Sequence, residues 1–224
     1  MRRALAFSIV LKVALSASGA GAETLKVAVA QRGFWNSSFI EFGIKQGFFK
    51  EAGLDIDILY TEGGASTLTP VIAGSIDIAM TNGTLGAVAA YAKGMPVKII
   101  SAEATGAPDA FWYARPESGI TSLADTAGRT VAFSSPGSST NLILLQLIQQ
   151  AKVTPRMVAT GGAPATLTQV MSGQIDVGWS VPPFVLQQLA EGRLAMPLSG
   201  RAYQKASGAP VASALMIFTG MPLA

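Results

Sequence analysis

Half of the 224 residues are apolar and 13% are charged, a composition that can bury a core and does not fit a disordered chain. The formal charge of +3 comes entirely from Arg2, Arg3 and Lys12; from Glu23 onward basic and acidic residues balance, which gives no support for nucleic-acid binding. With no histidine and no cysteine the chain has no Ser-His-Asp triad, no thiolate, no disulfide, and no His- or Cys-ligated metal site. Lysine, carboxylate and tyrosine chemistry remain open, but no catalytic residue, metal or cofactor is expected.

Met1–Ala22 has the pattern of a secretory leader. Arg2 and Arg3 form its charged region and Ala4–Leu15 its apolar region, and Ala20-Gly21-Ala22 is an A-x-A cleavage site before Glu23. The apolar run is shorter than the ~20 residues of a spanning helix, so export to a bacterial periplasm is the expectation. The mature chain opens with a predicted strand, Leu25–Ala30, and the loop Gln31–Asn36. A helix capped by Ser37 or Ser38 runs towards Lys50, weakened and open to splitting at Gly43 and Gly47. Leu54–Tyr60 alternates apolar and acidic residues, as a strand with one solvated face does.

Gly63–Ala79, GGASTLTPVIAGSIDIA, recurs as Gly161–Gly178, GGAPATLTQVMSGQIDVG. With one inserted residue, Thr67, Leu68, Thr69, Val71, Gly74, Ile76 and Asp77 return as Thr166, Leu167, Thr168, Val170, Gly173, Ile175 and Asp176. Each copy reads as a glycine turn, a short helix with an apolar stripe, a glycine stop, and an apolar strand (Ile76–Met80; Ile175–Trp179). A repeat spaced this widely points to two similar α/β lobes rather than a solenoid. Features common to both copies serve the fold, and features that differ are candidates for recognition. Asp77 and Asp176 are therefore read as structural carboxylates bonding backbone at the helix–strand turn.

After the first copy come Thr81-Asn82-Gly83-Thr84, an Ala-rich helix to Tyr91 with a stop at Gly94, and the strand Val97–Ser101. Strands alternating with helices predict a mainly parallel sheet covered on both faces. The pattern breaks between Ala102 and Arg115, where the chain is expected to cross between lobes. It restarts with the strand Thr130–Phe133, the loop Ser134–Thr140, the helix Asn141–Ala151 and the strand Pro155–Thr160. Beyond the second copy, Trp179–Pro183 leads into a helix through Glu191, and Val211–Thr219 reads as a strand crossing back. The domains expected are a leader (1–22), lobe I (23–104), lobe II (105–215) and the start of a return to lobe I (216–224). The chain stops directly after an apolar segment and without a polar tail, which reads either as a natural ending or, at least as readily, as a truncated product.

The segments GFFKEAGLDIDILYTEGG (Gly47–Gly64), AGSIDIA (Ala73–Ala79), KGMPVKII (Lys93–Ile100), ITSLADTAGRTVAFSSPGSS (Ile120–Ser139) and SGQIDVGW (Ser172–Trp179) follow in order along nearly all of the mature chain. Together they resemble the nitrate/sulfonate/taurine-type substrate-binding proteins of ABC transporters, an SsuA-like group that shares its domain with thiamine-pyrimidine synthases. The resemblance implies an α/β fold of the periplasmic-binding-protein-like type II class, with two lobes, hinge strands and a ligand cleft between them. It also implies delivery of a small molecule to a membrane permease. Members of the group continue beyond this chain's end to complete the first lobe.

In open α/β sheets ligands lie outside the carboxyl ends of strands. Those ends carry Gln31–Asn36, Thr81–Thr84, Ser134–Thr140 and Trp179–Ser180. Ser135, Ser138, Ser139 and Thr140 are candidates for holding an anion at a helix N-terminus, with plain capping by Ser138 or Ser139 as the alternative. Ser66 has the same two readings at the first repeat helix. Phe34, Trp35 and Trp179 are candidate walls, or core. Gln31, Arg32, Thr81, Asn82 and Ser180 complete the candidate set, against solvated-loop or turn roles.

Three functions follow. The first is a periplasmic, monomeric solute receptor with no catalytic step, for a small anionic compound such as a sulfonate, taurine or nitrate, with a pyrimidine between Trp35 and Trp179 as runner-up. The second is an enzyme like the pyrimidine synthases, which depend on a histidine that this chain lacks. The third is a soluble sensor partner on the same fold.

Overall fold

The computed structural model describes residues 22–105 and 109–199 and the strand 212–219; the leader region 1–21 and the stretch 200–211 lie outside the described residues. The first unit begins with β1 (Glu23–Ala30) and a 3-10 turn at Trp35–Ser37, followed by α1 (Phe39–Gln46) and α2 (Phe48–Glu51). Then come β2 (Leu54–Thr61), α3 (Gly64–Ile72), β3 (Ile78–Asn82), α4 (Thr84–Ala92) and β4 (Val97–Thr105). The second comprises β5 (Phe111–Ala114), β6 (Thr130–Phe133), α5 (Ser139–Ala151), β7 (Arg156–Ala159) and α6 (Ala163–Met171). It ends with β8 (Val177–Ser180), α7 (Leu186–Ala190) and β9 (Ala195–Ser199), before β10 (Ala212–Thr219).

Two five-stranded sheets result, ordered β2-β1-β3-β10-β4 and β7-β6-β8-β5-β9. β1 is parallel to β2 and β3, and β6 to β7 and β8. β10 runs antiparallel between β3 and β4, and β5 antiparallel between β8 and β9. Each sheet thus has four parallel strands and one reversed strand in the same place. The reversed strand comes, in chain order, after the other sheet's last parallel strand. The two crossings expected from the sequence are these strands, β5 and β10.

The duplicated segment accounts for the likeness. Ser75 and Ile76 N–H both donate back to Pro70 O, and Gln174 and Ile175 N–H to Gln169 O. The expected strand starts at Ile76 and Ile175 are therefore still helix-end turn, and pairing begins two residues later. Asp77 accepts from Lys26 N at 2.8 Å, and Asp176 from Thr130 N at 2.8 Å and Thr130 Oγ1 at 2.7 Å. Both carboxylates are structural, as expected, but they clasp the first parallel strand of their own sheet, about fifty residues away, rather than the local turn. Burial raises the Asp176 carboxyl, but the Thr130 hydrogen bonds and the charges of Arg129 and Arg156 outweigh it and hold it below the usual carboxylate range.

The first predicted helix is split at Gly47, whose left-handed φ of 84° ends α1 before α2 begins. Ser38 occupies the N-cap position without a side-chain cap; its hydroxyl donates to Phe34 O, and that of Ser37 to Ala30 O. β9 escaped the sequence reading because Pro197 interrupts it. Its place at the sheet edge is where proline is tolerated.

Candidate functional site

The carboxyl ends of β1, β3, β6 and β8 face one another across a cleft of about 70 Å³. From the first lobe it is lined by Ala30, Gln31, Phe34, Asn36, Ser37, Gly64 and Thr81; from the second by Ser134, Ser138, Ser139, Thr140, Trp179 and Val181. Among the described residues none of the lining is ionisable. The room equals roughly two water volumes, well under the 300–1,000 Å³ typical of ligand pockets, so the lobes stand close together.

Three contacts close them. Phe34, in the loop after β1, is buried in the second lobe's core, edge-on to Trp179 at 5.9 Å and to Phe184 at 5.1 Å between ring centres. Trp35 N–H donates to Pro182 O at 3.2 Å. At the opposite rim Gly86 N–H donates to Gly137 O at 3.1 Å. There a Cβ on Gly83 would fall inside Gly137 O and 2.6 Å from Ser138 Cα, so only glycine permits this backbone-to-backbone approach.

Seven of the thirteen candidate residues reach the cleft: Gln31, Phe34, Thr81, Ser138, Ser139, Thr140 and Trp179. Ser138 is the N-cap of α5, accepting from Asn141 N at 3.1 Å, and its hydroxyl also meets Thr140 Oγ1. Thr140 Oγ1 accepts from Ser134 N at 2.9 Å. Capping and cleft lining are combined in the same hydroxyls, and the positive end of the thirteen-residue α5 points into the cleft. Trp179 is both wall and core: it is 2% exposed and its Nε1 donates to Thr160 Oγ1.

The other six lie off the lining. Arg32 is exposed with its guanidinium 4.9 Å above the Tyr60 ring. Burial and Glu41, which accepts the Tyr60 hydroxyl proton, push that phenol up to about 12 against the pull of Arg32. Trp35 is 54% exposed and packs edge-on against Phe39, so it does not sandwich a ligand with Trp179. Ser66 is exposed in the first turn of α3. Asn82 is fully buried and ties α3 to β3 through Gly64 O and Thr67 Oγ1. Ser180 turns onto Val181 O and Phe184 O. The Ser135 hydroxyl is buried without a hydrogen-bond partner, 3.2 Å from where a Cβ on Gly63 would stand.

Asn36, Ser37, Gly64, Ser134 and Val181 line the cleft without having been candidates. Asn36, Ser134 and Val181 adjoin a candidate in the chain, as does Ala30, and Ser37 and Gly64 lie two residues from one, so widening every candidate by two residues would have included them all. Among the described residues no three potential metal-ligating side chains cluster.

The family described as NMT1/THI5 like matches residues 35–217. The chain belongs to that family. No curated protein matches this NMT1/THI5-like chain by sequence. Among solved structures it is similar to a protein of Bordetella bronchiseptica RB50, with 22% identity and a TM-score of 0.74 over 88% of this chain and 64% of that one. It is similar to the alkanesulfonate-binding protein SsuA of Xanthomonas axonopodis pv. citri bound to MOPS (16% identity, TM-score 0.72, 88% and 65% covered). It is also similar to the periplasmic aliphatic sulphonate binding protein SsuA of Escherichia coli (18%, 0.62, 88% and 65%). These likenesses establish the periplasmic-binding-protein fold. The NMT1/THI5-like chain spans less than two thirds of the length of each of these structures.

Proposed function

We propose that this chain is the solute-binding protein of an ABC importer, a receptor with no catalytic step. The observation that carries the reading is the cleft: a two-lobed site at the carboxyl ends of both sheets, lined by neutral hydroxyl, amide and aromatic groups, with no ionisable side chain to run acid–base or nucleophilic chemistry. Lobe I takes residues 23–104, lobe II 105–215, and 216–224 begin the return. Residues 1–22 act as an export leader removed after Ala22, and the mature receptor works as a periplasmic monomer that hands its ligand to an inner-membrane permease.

The ligand is a small anion of the sulfonate, taurine or nitrate kind. An anion suits the α5 N-terminus, where the Ser138–Thr140 hydroxyls and helix amides supply donors without a counter-charge. Gln31 meets it from the other lobe, where Thr81 forms part of the wall, and Phe34 and Trp179 cover its apolar part. The sulfonate-binding proteins among the similar structures support the same class. Opening of the lobes about β5 and β10 admits the ligand.

A thermal melt against alkanesulfonates, taurine, nitrate, aromatic carboxylates and pyrimidines tests this. Ligand at about 100 times its dissociation constant adds roughly 2.7 kcal/mol, or about 5–10 °C for a chain this size. A melt raised by sulfonates and not by pyrimidines is expected. A shift with pyrimidines alone would overturn the ligand class, and a melt that nothing moves would overturn the receptor reading.

A further inference from the structure

Thr81 is a tightly constrained residue of the cleft. It is β-branched yet has a left-handed φ of 56°, a conformation such residues avoid unless their surroundings impose it. Its hydroxyl is fixed between Ala30 N, which donates to it at 2.8 Å, and Met80 O, to which it donates at 2.7 Å. On the other side, a Cβ on Gly64 would lie 2.9 Å from Thr81 O. What secures its amide is Glu103 on β4: Thr81 N–H donates to both carboxyl oxygens, each at 2.8 Å.

We propose that Glu103 is a positioning residue for ligand binding: it holds Thr81 in place from behind the cleft wall, and its charge makes the binding of an anion depend on pH. The proposal rests on the reading of the ligand as an anion. An anion seated against Thr81 has the Glu103 carboxylate one residue away. That charge opposes it when ionised and leaves it undisturbed when protonated.

Among the described residues no neighbouring charge offsets Glu103. Of the elements packed against β4, β10 (ASALMIFT) contains no ionisable residue and α4 contains only Tyr91, which is 64% exposed. β3, which carries Thr81, contains none, and on β4 itself the other ionisable residue is Lys98. Burial pushes the Glu103 carboxyl up to about 7, against the lowering effect of the Thr81 N–H. The folded value lies above the ordinary 4.5. Between those pH values the native state keeps a proton that the unfolded chain has released, so stability falls as pH rises through that window and levels off above it. Anion affinity falls near the upper end of the same window.

The test follows the Thr81 amide by NMR from pH 5 to 9 in the wild-type chain and in Glu103→Gln, with ethanesulfonate, whose charge is constant over that range, titrated at each end. The Thr81 amide is expected to shift in a single step centred near pH 7 in the wild type and to stay still in Glu103→Gln, which keeps an acceptor and loses the charge. Ethanesulfonate affinity is expected to fall by about fivefold or more across that step in the wild type, fivefold being the effect in water of unit charges about 4 Å apart, and to stay flat in the variant. A Thr81 amide that does not titrate in the wild type overturns the proposal, whatever the variant does. So does an affinity that falls equally in Glu103→Gln. If ethanesulfonate binds neither protein while Thr81 titrates as stated, the positioning role stands and the sulfonate reading falls.

Discussion

The two sheets share one strand order and differ in what covers them. In the second, β5 and β8 are buried at every residue, and a single core joins Trp112, Tyr113 and Trp179 to the helices around them. In the first, β1 splits its apolar residues between two smaller clusters. Ala28 faces α3 and α4, while Val27 and Val29 face Ile40 of α1 on the other side. Among the described residues that second face is thinly covered. An apolar cavity of about 280 Å³ lies there among Val27, Ile40, Phe49, Ile56, Ile78 and Met80, and Phe39, Phe42 and Phe48 stand 46%, 54% and 63% exposed beside it. Among the described residues the same motif therefore yields the same topology twice with unequal burial. Free energy follows apolar area removed from water, not topology.

Breaking each core separately should give the largest contrast. Trp112 is fully buried, with Nε1 donating to Ala132 O at 2.9 Å. Trp112→Ala should cost about 3–5 kcal/mol in urea denaturation. Ile40→Ala removes a side chain that already borders a cavity, so its loss should stay near the bottom of the range for such truncations, about 2 kcal/mol. Amides of β1–β3 should also exchange faster than those of β5, β6 and β8. Equal losses and equal protection would show that the thin face is covered as well as the thick one.

The seam between the lobes offers a second contrast, between a glycine that serves closure and one that serves a turn. Gly83→Ala drives a Cβ into the Gly137–Ser138 backbone, an overpacking worth roughly 1–3 kcal/mol. Parting the lobes relieves it without unfolding either. Ligand affinity should therefore fall by roughly tenfold or more while the melting temperature of the free protein barely moves, and small-angle scattering should show a larger radius of gyration. Gly74→Ala meets nothing within 4 Å, but its φ is 72°. It should lower stability by about 1–2 kcal/mol and leave affinity alone. If both variants behave alike, the Gly83 contact has no part in closure.

Much of this was legible in the sequence because a duplication displays its own constraints. The repeat marked two lobes, the glycines at 74 and 173 marked helix ends, and the loops after strands marked the cleft. The failures share a cause. Trp35 and Asn82 sit beside cleft residues in the chain and Ser66 two residues from one, but a step of one or two residues along a loop or turn redirects the side chain. Asn82 turns inward to tie α3 down while its neighbour Thr81 faces the cleft. Glu103 drew no notice at all, because a glutamate in an apolar strand shows its partner only once β3 and β4 are aligned across β10.

The smallest contrast compares the two copies of the repeat at equivalent carboxylates. Asp176 accepts both the N–H and the hydroxyl of Thr130, with Arg129 a further 3.5 Å away; Asp77 accepts only Lys26 N–H. An exposed arginine at that distance adds little, so the hydroxyl makes the difference. Asp176→Asn should cost about 1–2 kcal/mol and Asp77→Asn about 0.5–1 kcal/mol, in line with hydrogen bonds to charged and partly solvated acceptors. The Asp176 carboxyl lies below the usual range, so its contribution is complete above the unfolded value of about 3.9. It is lost as pH falls through the folded one. The gap between wild type and Asp176→Asn in urea denaturation should therefore hold steady from pH 8 to 5 and shrink on further acidification. A gap that widened towards acid would mean that Asp176 is held by something other than its ionised form.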